Sequence, residues 1–323
     1  MPEPAADHRP WLPALALTFN AFTWGVSWWP FRQLQAHGLH PLWATALIYT
    51  MAMLAITLWR PRAWAQLFAT PALWWLVLAA GATNATFNWA VTVGDVVRVV
   101  LLFYLMPLWA VLLARVLLDE RLTPRAGLQV ALALAGAAVV LWPADAFSGG
   151  LPVPRTLAEW LSVAGGFTFA LNNVLLRREA HQPETARALA MFTGGALVAG
   201  VLAASLSAAG SVPWPPLPAV GGGDGGMSGW VSGWVSGWIW GAAAALSAWF
   251  LLSNPALQFG AARLPASVTA VVLITEVLFA SVSALLLGAG TLTLPLAAGG
   301  ALIVAATLLS ARPGAHSGAG SGP

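Results

Sequence analysis

Glu276 lies near the middle of the apolar stretch 264–288. A charged side chain at mid-bilayer costs at least roughly 2.5–3.5 kcal/mol, so such a residue faces a cavity or a partner. Two chemistries are open to it there: counter-charge for a cationic group on a solute, or a site that takes up and releases a proton. The structural alternative is a protonated Glu hydrogen-bonded between helices. Asn88, Asn172, Asn173, Asn254 and Gln258 add neutral amides in or near apolar segments. Amides hold ligands or join helices. For Asn172 and Asn173 ligand contact and a helix joint both stay open, and the two are kept among the candidate binding residues. Asn88 and Asn254 are equivalent in an internal repeat and lean toward a structural role, with Asn88 kept among the candidate binding residues. Trp24 and Trp28 are spaced i, i+4 and share a helix face; with Trp29, Phe87 and Trp89 they make the first half of the chain aromatic. Rings around a polar-tipped cavity suit a planar apolar ligand, although aromatics in membranes also pack on lipid and neighbouring helices.

Other chemistries are disfavoured. With no cysteine, disulfides, thiolate metal sites and thiol redox are excluded. His8, His37, His40, His181 and His316 all fall in predicted loops or tails, which argues against a histidine relay or metal cluster in the membrane. No Walker loop, His-Glu-x-x-His or Gly-x-Ser-x-Gly occurs, and a serine nucleophile would lack a membrane-embedded base. The sequence therefore predicts neither an enzyme nor an ATP-driven pump, and it calls for no cofactor. Nor does any run resemble a potassium-channel filter.

The elements that position these residues must lie in a bilayer. Of 323 residues, 59% are hydrophobic and 8% charged, against roughly a quarter charged in soluble domains. Residues 63–94, 188–223 and 225–262 hold no Asp, Glu, Lys or Arg, and each run exceeds the roughly 20 residues needed to span a bilayer. The pI near 10.5 does not point to nucleic acid, because the arginines sit at the ends of apolar runs. The N-terminus lacks a cationic segment leading to a cleavage site, so the first apolar run is expected to be a retained helix.

Division at Arg, Pro and Gly clusters predicts helices at about 11–31, 42–59, 71–93, 96–118, 125–142, 157–176, 187–209, 229–254, 264–288 and 293–311. Asp95 and Arg98, at i and i+3, are expected to pair at the start of the fourth. Trp230, Trp234 and Trp238 recur every four residues and read as an interfacial stripe opening the eighth. One side of the membrane then collects Arg9, Arg60, Arg62, Arg115, Arg121, Arg125, Arg177, Arg178, Arg187, Arg263 and Arg312. Arg32, Arg98 and Arg155 fall on the other, so both termini are expected in the cytoplasm.

The chain also repeats itself. Phe22, Thr23 and Arg32 recur as Phe167, Thr168 and Arg177, with Trp24 echoed by Phe169, at an offset of 145 (167 − 22). Asn88-x-Ala90-x-x-x-Gly94 recurs as Asn254-x-Ala256-x-x-x-Gly260 at 166 (254 − 88), and Leu122-Thr123 as Leu292-Thr293 at 170 (292 − 122). Five helices per repeat is an odd number, so the second repeat must be inverted. The predicted organisation is a tail at 1–10, a first repeat at 11–142, a linker at 143–156, a second repeat at 157–311 and a tail at 312–323. A Gly/Pro-rich insert at 211–228 is expected to be an external loop.

Leu105-Met106-Pro107-Leu-x-Ala110 followed by Asp119-Glu120-Arg121-Leu122-Thr123, with Thr275-Glu276-Val277-x-x-Ala280 in the second half, resembles the EamA family of the drug/metabolite transporter superfamily. Val277 replaces the family's usual proline, and Gly290 stands where a second Glu would fall. Within the family, the aromatic first helix and the length are similar to the aromatic amino acid exporters (YddG-type). The resemblance implies an all-α polytopic membrane protein: ten transmembrane helices in two inverted five-helix repeats around a central cavity, working by alternating access. No arginine falls near mid-membrane, so a zwitterionic or neutral solute fits better than a phosphate ester. The expectation is a monomeric exporter of small metabolites such as amino acids, aromatic ones included, in the bacterial inner membrane. Its partners are a small-molecule substrate and the lipid bilayer, with no nucleic acid. An exporter of lipophilic cationic drugs, and a channel or non-transport membrane protein, remain as alternatives. Trp24, Trp28, Asn88, Asn172, Asn173 and Glu276 are the candidate binding residues.

Overall fold

Two helix breaks that hydropathy does not show fall just ahead of a proline, although the helix Met227–Ala261 runs unbroken through Pro255. The computed structural model describes residues 11–117, 123–142, 152–215, 227–261, 263–264 and 266–311, with side chains described for all of these but 227–236, 258, 261, 266–271 and 310–311. The tails, residues Asp119–Leu122 of the Asp-Glu-Arg-Leu-Thr motif, most of the 211–228 insert, and the side chains of Trp230, Trp234 and Gln258 lie outside this description.

The predicted first helix is two: α1 (Trp11–Val26) and α2 (Trp28–Ala36). Pro30 has no N–H to offer the Val26 carbonyl, and at the break the Ser27 hydroxyl and N–H both donate to the Trp24 carbonyl, at 2.9 and 3.3 Å. The predicted fourth helix is likewise α6 (Val96–Phe103) and α7 (Met106–Leu117), separated at Tyr104-Leu105. Here Pro107 cannot bond the Phe103 carbonyl four residues back. Gly166 packs on that carbonyl so closely that an added Cβ would come within 2.6 Å of it.

Between these lie α3 (Pro41–Trp59), α4 (Arg62–Ala69) and α5 (Ala72–Val93), and α8 (Pro124–Val140) completes the first half. The second half holds α9 (Leu157–Arg178), α10 (Glu184–Ala208), α11 (Met227–Ala261), α12 (Ala266–Leu286) and α13 (Leu294–Ala311). α4 is absent from the sequence reading: a short amphipathic helix that buries Ala63 and Leu67 and exposes Phe68. Caps set several starts. Thr123 accepts from Ala126 N (3.2 Å) ahead of Pro124, and Asp95 accepts from Arg98 N (3.0 Å). Thr156 and Glu159 form a capping box at α9.

No strand occurs among the described residues. Among the described residues four stretches are long and apolar enough to cross a membrane: Pro41–Trp59, Ala72–Val93, Val96–Leu117 and Glu184–Ala208. Pro124–Val140, Val272–Leu286 and Leu294–Leu309 are shorter apolar helices. Small residues let the helices approach, since close van der Waals packing is what holds helices together in lipid. Gly81 and Gly194 bring α5 and α10 to backbone contact, while Gly136 and Gly299 do the same for α8 and α13. Gly25 rests on α12, where an added Cβ would meet the Glu276 carbonyl at 2.8 Å. α9 packs on α5, and α11 on α1. α10 lies against α3, and α12 against both α1 and α6.

Candidate functional site

A cavity of about 430 Å³ lies between the two halves, lined from α1, α3, α5, α6, α7, α9, α10, α11 and α12. That volume is within the range of small-molecule pockets, roughly 300–1,000 Å³. Eight of its lining side chains are aromatic. Trp24 stacks on Phe250 with ring centroids 4.8 Å apart and planes 10° from parallel, and Tyr49 adjoins both Phe250 and Phe192. On another wall Phe103 meets Phe87 at 4.6 Å and Phe169 at 5.3 Å.

The polar groups are few and mostly fixed. Tyr104 donates from its hydroxyl to Glu276 Oε2 at 3.0 Å, with the Leu273 carbonyl 3.3 Å away. This phenol orients the carboxylate and leaves its remaining acceptor sites for something else. Tyr49 donates to Asn84 Oδ1 at 2.5 Å. Asn20 Nδ2 donates to Ser253 Oγ at 2.7 Å and to the Ser253 carbonyl at 3.2 Å, joining α1 to α11. Asn172 is 2% exposed, and its Oδ1 has no hydrogen-bond partner among the described residues. A buried acceptor without a donor is costly, so it is a natural place for a ligand N–H or O–H. Asn173 and Asn254 also line the space. Among the described residues that line it, only Glu276 is a carboxylate and none is Arg or His.

Four of the six candidate binding residues thus share one cavity: Trp24, Asn172, Asn173 and Glu276. The other two do not line it. Trp28 is buried against α12, where its Nε1 donates to Ser283 Oγ at 2.9 Å. Asn88 is fully buried and ties α5 to α3, its Nδ2 donating to Thr45 Oγ1 at 3.1 Å, while its Oδ1, like that of Asn172, has no hydrogen-bond partner among the described residues. Asp95 is not paired with the Arg98 guanidinium but caps α6, and Arg98 instead pairs with Glu159 at 2.8 Å.

Sequence reasoning missed Tyr49, Tyr104, Phe192, Phe250, Asn20, Asn84 and Ser253. A signal existed for the first two. They are the chain's two tyrosines, and a phenol buried in an apolar helix needs a polar partner. Phe169 was legible as the repeat echo of Trp24.

Residues 11–142 match the family model of the EamA-like transporter family. The chloramphenicol-sensitive protein RarD of Pseudomonas aeruginosa is 34% identical over 128 residues, 37% of this chain. The match spans 42% of that relative's length. A crystal structure of a further protein aligns with 92% of this chain and 96% of its own, at 19% identity and a TM-score of 0.47.

Proposed function

We propose that the whole chain is a secondary transporter of the EamA-like kind. On this reading it moves small zwitterionic or neutral metabolites, amino acids and aromatic ones among them, outward across a bacterial inner membrane. The observation that carries the reading is the cavity itself: aromatic walls, asparagine amides and one oriented carboxylate, with no basic side chain. Glu276 and the Asn172 carbonyl offer acceptors to an ammonium, the other amides can donate to a carboxylate, and the rings take the side chain.

The duplication supports alternating access. The repeat offsets pair Trp24 with Phe169 (145), Asn84 with Phe250 and Phe87 with Ser253 (166), and Met106 with Glu276 (170), and all eight line the cavity. Tyr49 and Phe192, each eight residues past its helix start (49 − 41; 192 − 184), form another such pair. The packing obeys the same exchange: α5 on α9 corresponds to α11 on α1, while α3 with α10 and α8 with α13 map onto themselves. An odd-numbered inverted repeat around a central site has two exchangeable conformations.

Counterflow in proteoliposomes tests the reading. Liposomes loaded with unlabelled aromatic amino acid should accumulate labelled substrate transiently and saturably, and linear, unsaturable flux would sink it. A second reading, export of lipophilic cations, is favoured by Glu276 beside stacked rings. Competition separates the two: neutral aromatic amino acids should compete better than a lipophilic cation. Chloramphenicol, which gives the relative its description, belongs in the panel as a neutral aromatic.

A further inference from the structure

At the end of the molecule that carries Arg32, Arg98 and Arg155, polar contacts join segments from different halves. Arg98 Nε on α6 pairs with Glu159 Oε1 at the start of α9 (2.8 Å). Asp95 Oδ2, ahead of α6, accepts from Thr291 N (2.7 Å) and Thr291 Oγ1 (3.2 Å), between α12 and α13. Val96 N donates to the Ala289 carbonyl at 3.2 Å. Arg32 braces the same corner from the first half, donating to the Val91 and Gly94 carbonyls at the end of α5.

These contacts differ in kind from the deep joints between halves. Gly81–Gly194 and Gly136–Gly299 are backbone approaches that cannot slide without clashing. The Asp95–Thr291 bonds are exposed, so water can replace them, whereas in the ion pair the Arg98 side chain is 35% accessible but Glu159 only 8%, its Oε2 held by the Arg155 and Thr156 N–H groups. The exposed bonds are weak enough to break and re-form during a cycle, and the half-buried ion pair is the stronger of the two contacts. α6 also reaches the cavity. Its eight residues span roughly 12 Å, with Asp95 and Arg98 at one end and Phe103 and Tyr104 at the other. Tyr104 holds Glu276 at 3.0 Å, and the chain breaks immediately after it, so α6 is a short rigid piece between the Glu276 site and the polar corner.

We propose that Arg98–Glu159 and Asp95–Thr291 are a gate closing this end of the cavity, and that it opens when α6 swings about the break at Tyr104-Leu105. The proposal rests on the transporter reading above and, on the predicted topology, places the gate on the external side.

The chain has no cysteine, so introduced thiols report cleanly. In the Asp95→Cys/Thr291→Cys protein, a short bis-thiol cross-link should abolish counterflow. Reversal of the link should restore it, and each single-cysteine variant should be unaffected by the reagent. Full flux in fully cross-linked protein overturns the gate. Glu159→Gln is the second arm, since Gln keeps an acceptor for the α9 cap while removing the ion pair. It should raise labelling of an Ala80→Cys cavity reporter about 2- to 5-fold, by an impermeant thiol reagent added on the Arg32 side. Unchanged labelling overturns the gate. Raised labelling in a protein without saturable counterflow keeps the gate and overturns the transporter reading.

Discussion

At the scale of the residue, Glu276 and Tyr104 make the sharpest expectation. Gln at 276 keeps the shape and one acceptor for the Tyr104 hydroxyl but cannot ionise. If the charge meets substrate or a proton, Glu276→Gln should cut flux about tenfold or more while leaving membrane insertion intact. Tyr104→Phe removes one hydrogen bond and should cost about 1 kcal/mol, roughly a fivefold rise in KM. Flux under an imposed pH gradient then divides the two roles. A proton carrier gives wild-type flux that responds to the gradient and a Gln variant that does not. A counter-charge gives weaker substrate binding and no gradient dependence in either protein. Wild-type kinetics in the Gln variant would leave the site to amides and rings. Glu276 was legible because a carboxylate inside an apolar run has few places to go. Trp28 and Asn88 were not, because nothing in the sequence says that Ser283 and Thr45 stand across from them. A polar group in a membrane helix that already bonds a neighbour looks the same, in one dimension, as one waiting for a ligand.

At the scale of the element, the apolar segments were readable and their interruptions were not. Hydropathy runs unbroken across Ser27 and across Tyr104-Leu105, so it joins α1 to α2 and α6 to α7. The prolines that divide them act on hydrogen bonds four residues back, which a hydropathy window does not weigh. α4 was hidden for the opposite reason: Arg60-Pro61-Arg62 reads as a loop, while only Ala63 and Leu67 carry its buried face. The contrast between glycines gives a test here. A methyl group at Gly194 would run into the Val77 carbonyl, whereas one at Gly127 would meet nothing within 4 Å. Gly194→Ala should therefore destabilise the protein by about 1–3 kcal/mol, as overpacking does. Gly127→Ala should be close to neutral. Thermal unfolding in detergent compares them, and equal midpoints would mean that α5 and α10 do not meet as closely as described.

At the scale of the whole molecule, one cavity draws on both halves and is chemically lopsided, as the duplication read from the sequence would allow. Repeat partners that line it have diverged in pairs: Asn84 against Phe250, Phe87 against Ser253, Met106 against Glu276. On the transporter reading proposed above, an inverted repeat would permit two exchangeable shapes, and the differing side chains would let one substrate bind in one orientation. The same duplication fixes a prediction about sidedness. Arg32 and Arg177 are repeat equivalents, and inversion requires them to lie on opposite sides of the bilayer. On the topology predicted from the sequence, eleven of the fourteen arginines fall on the side of Arg177, which the positive-inside rule assigns to the cytoplasm. A single cysteine at Ala36, one turn past Arg32 at the end of α2, should react with an impermeant thiol reagent from outside intact cells. A cysteine at Pro183, between α9 and α10, should react only after the membrane is opened. The reverse pattern would overturn the orientation and move the proposed gate to the cytoplasmic face. Labelling of both positions from one side would remove the inverted repeat, and with it the argument that the two halves exchange shapes around the cavity.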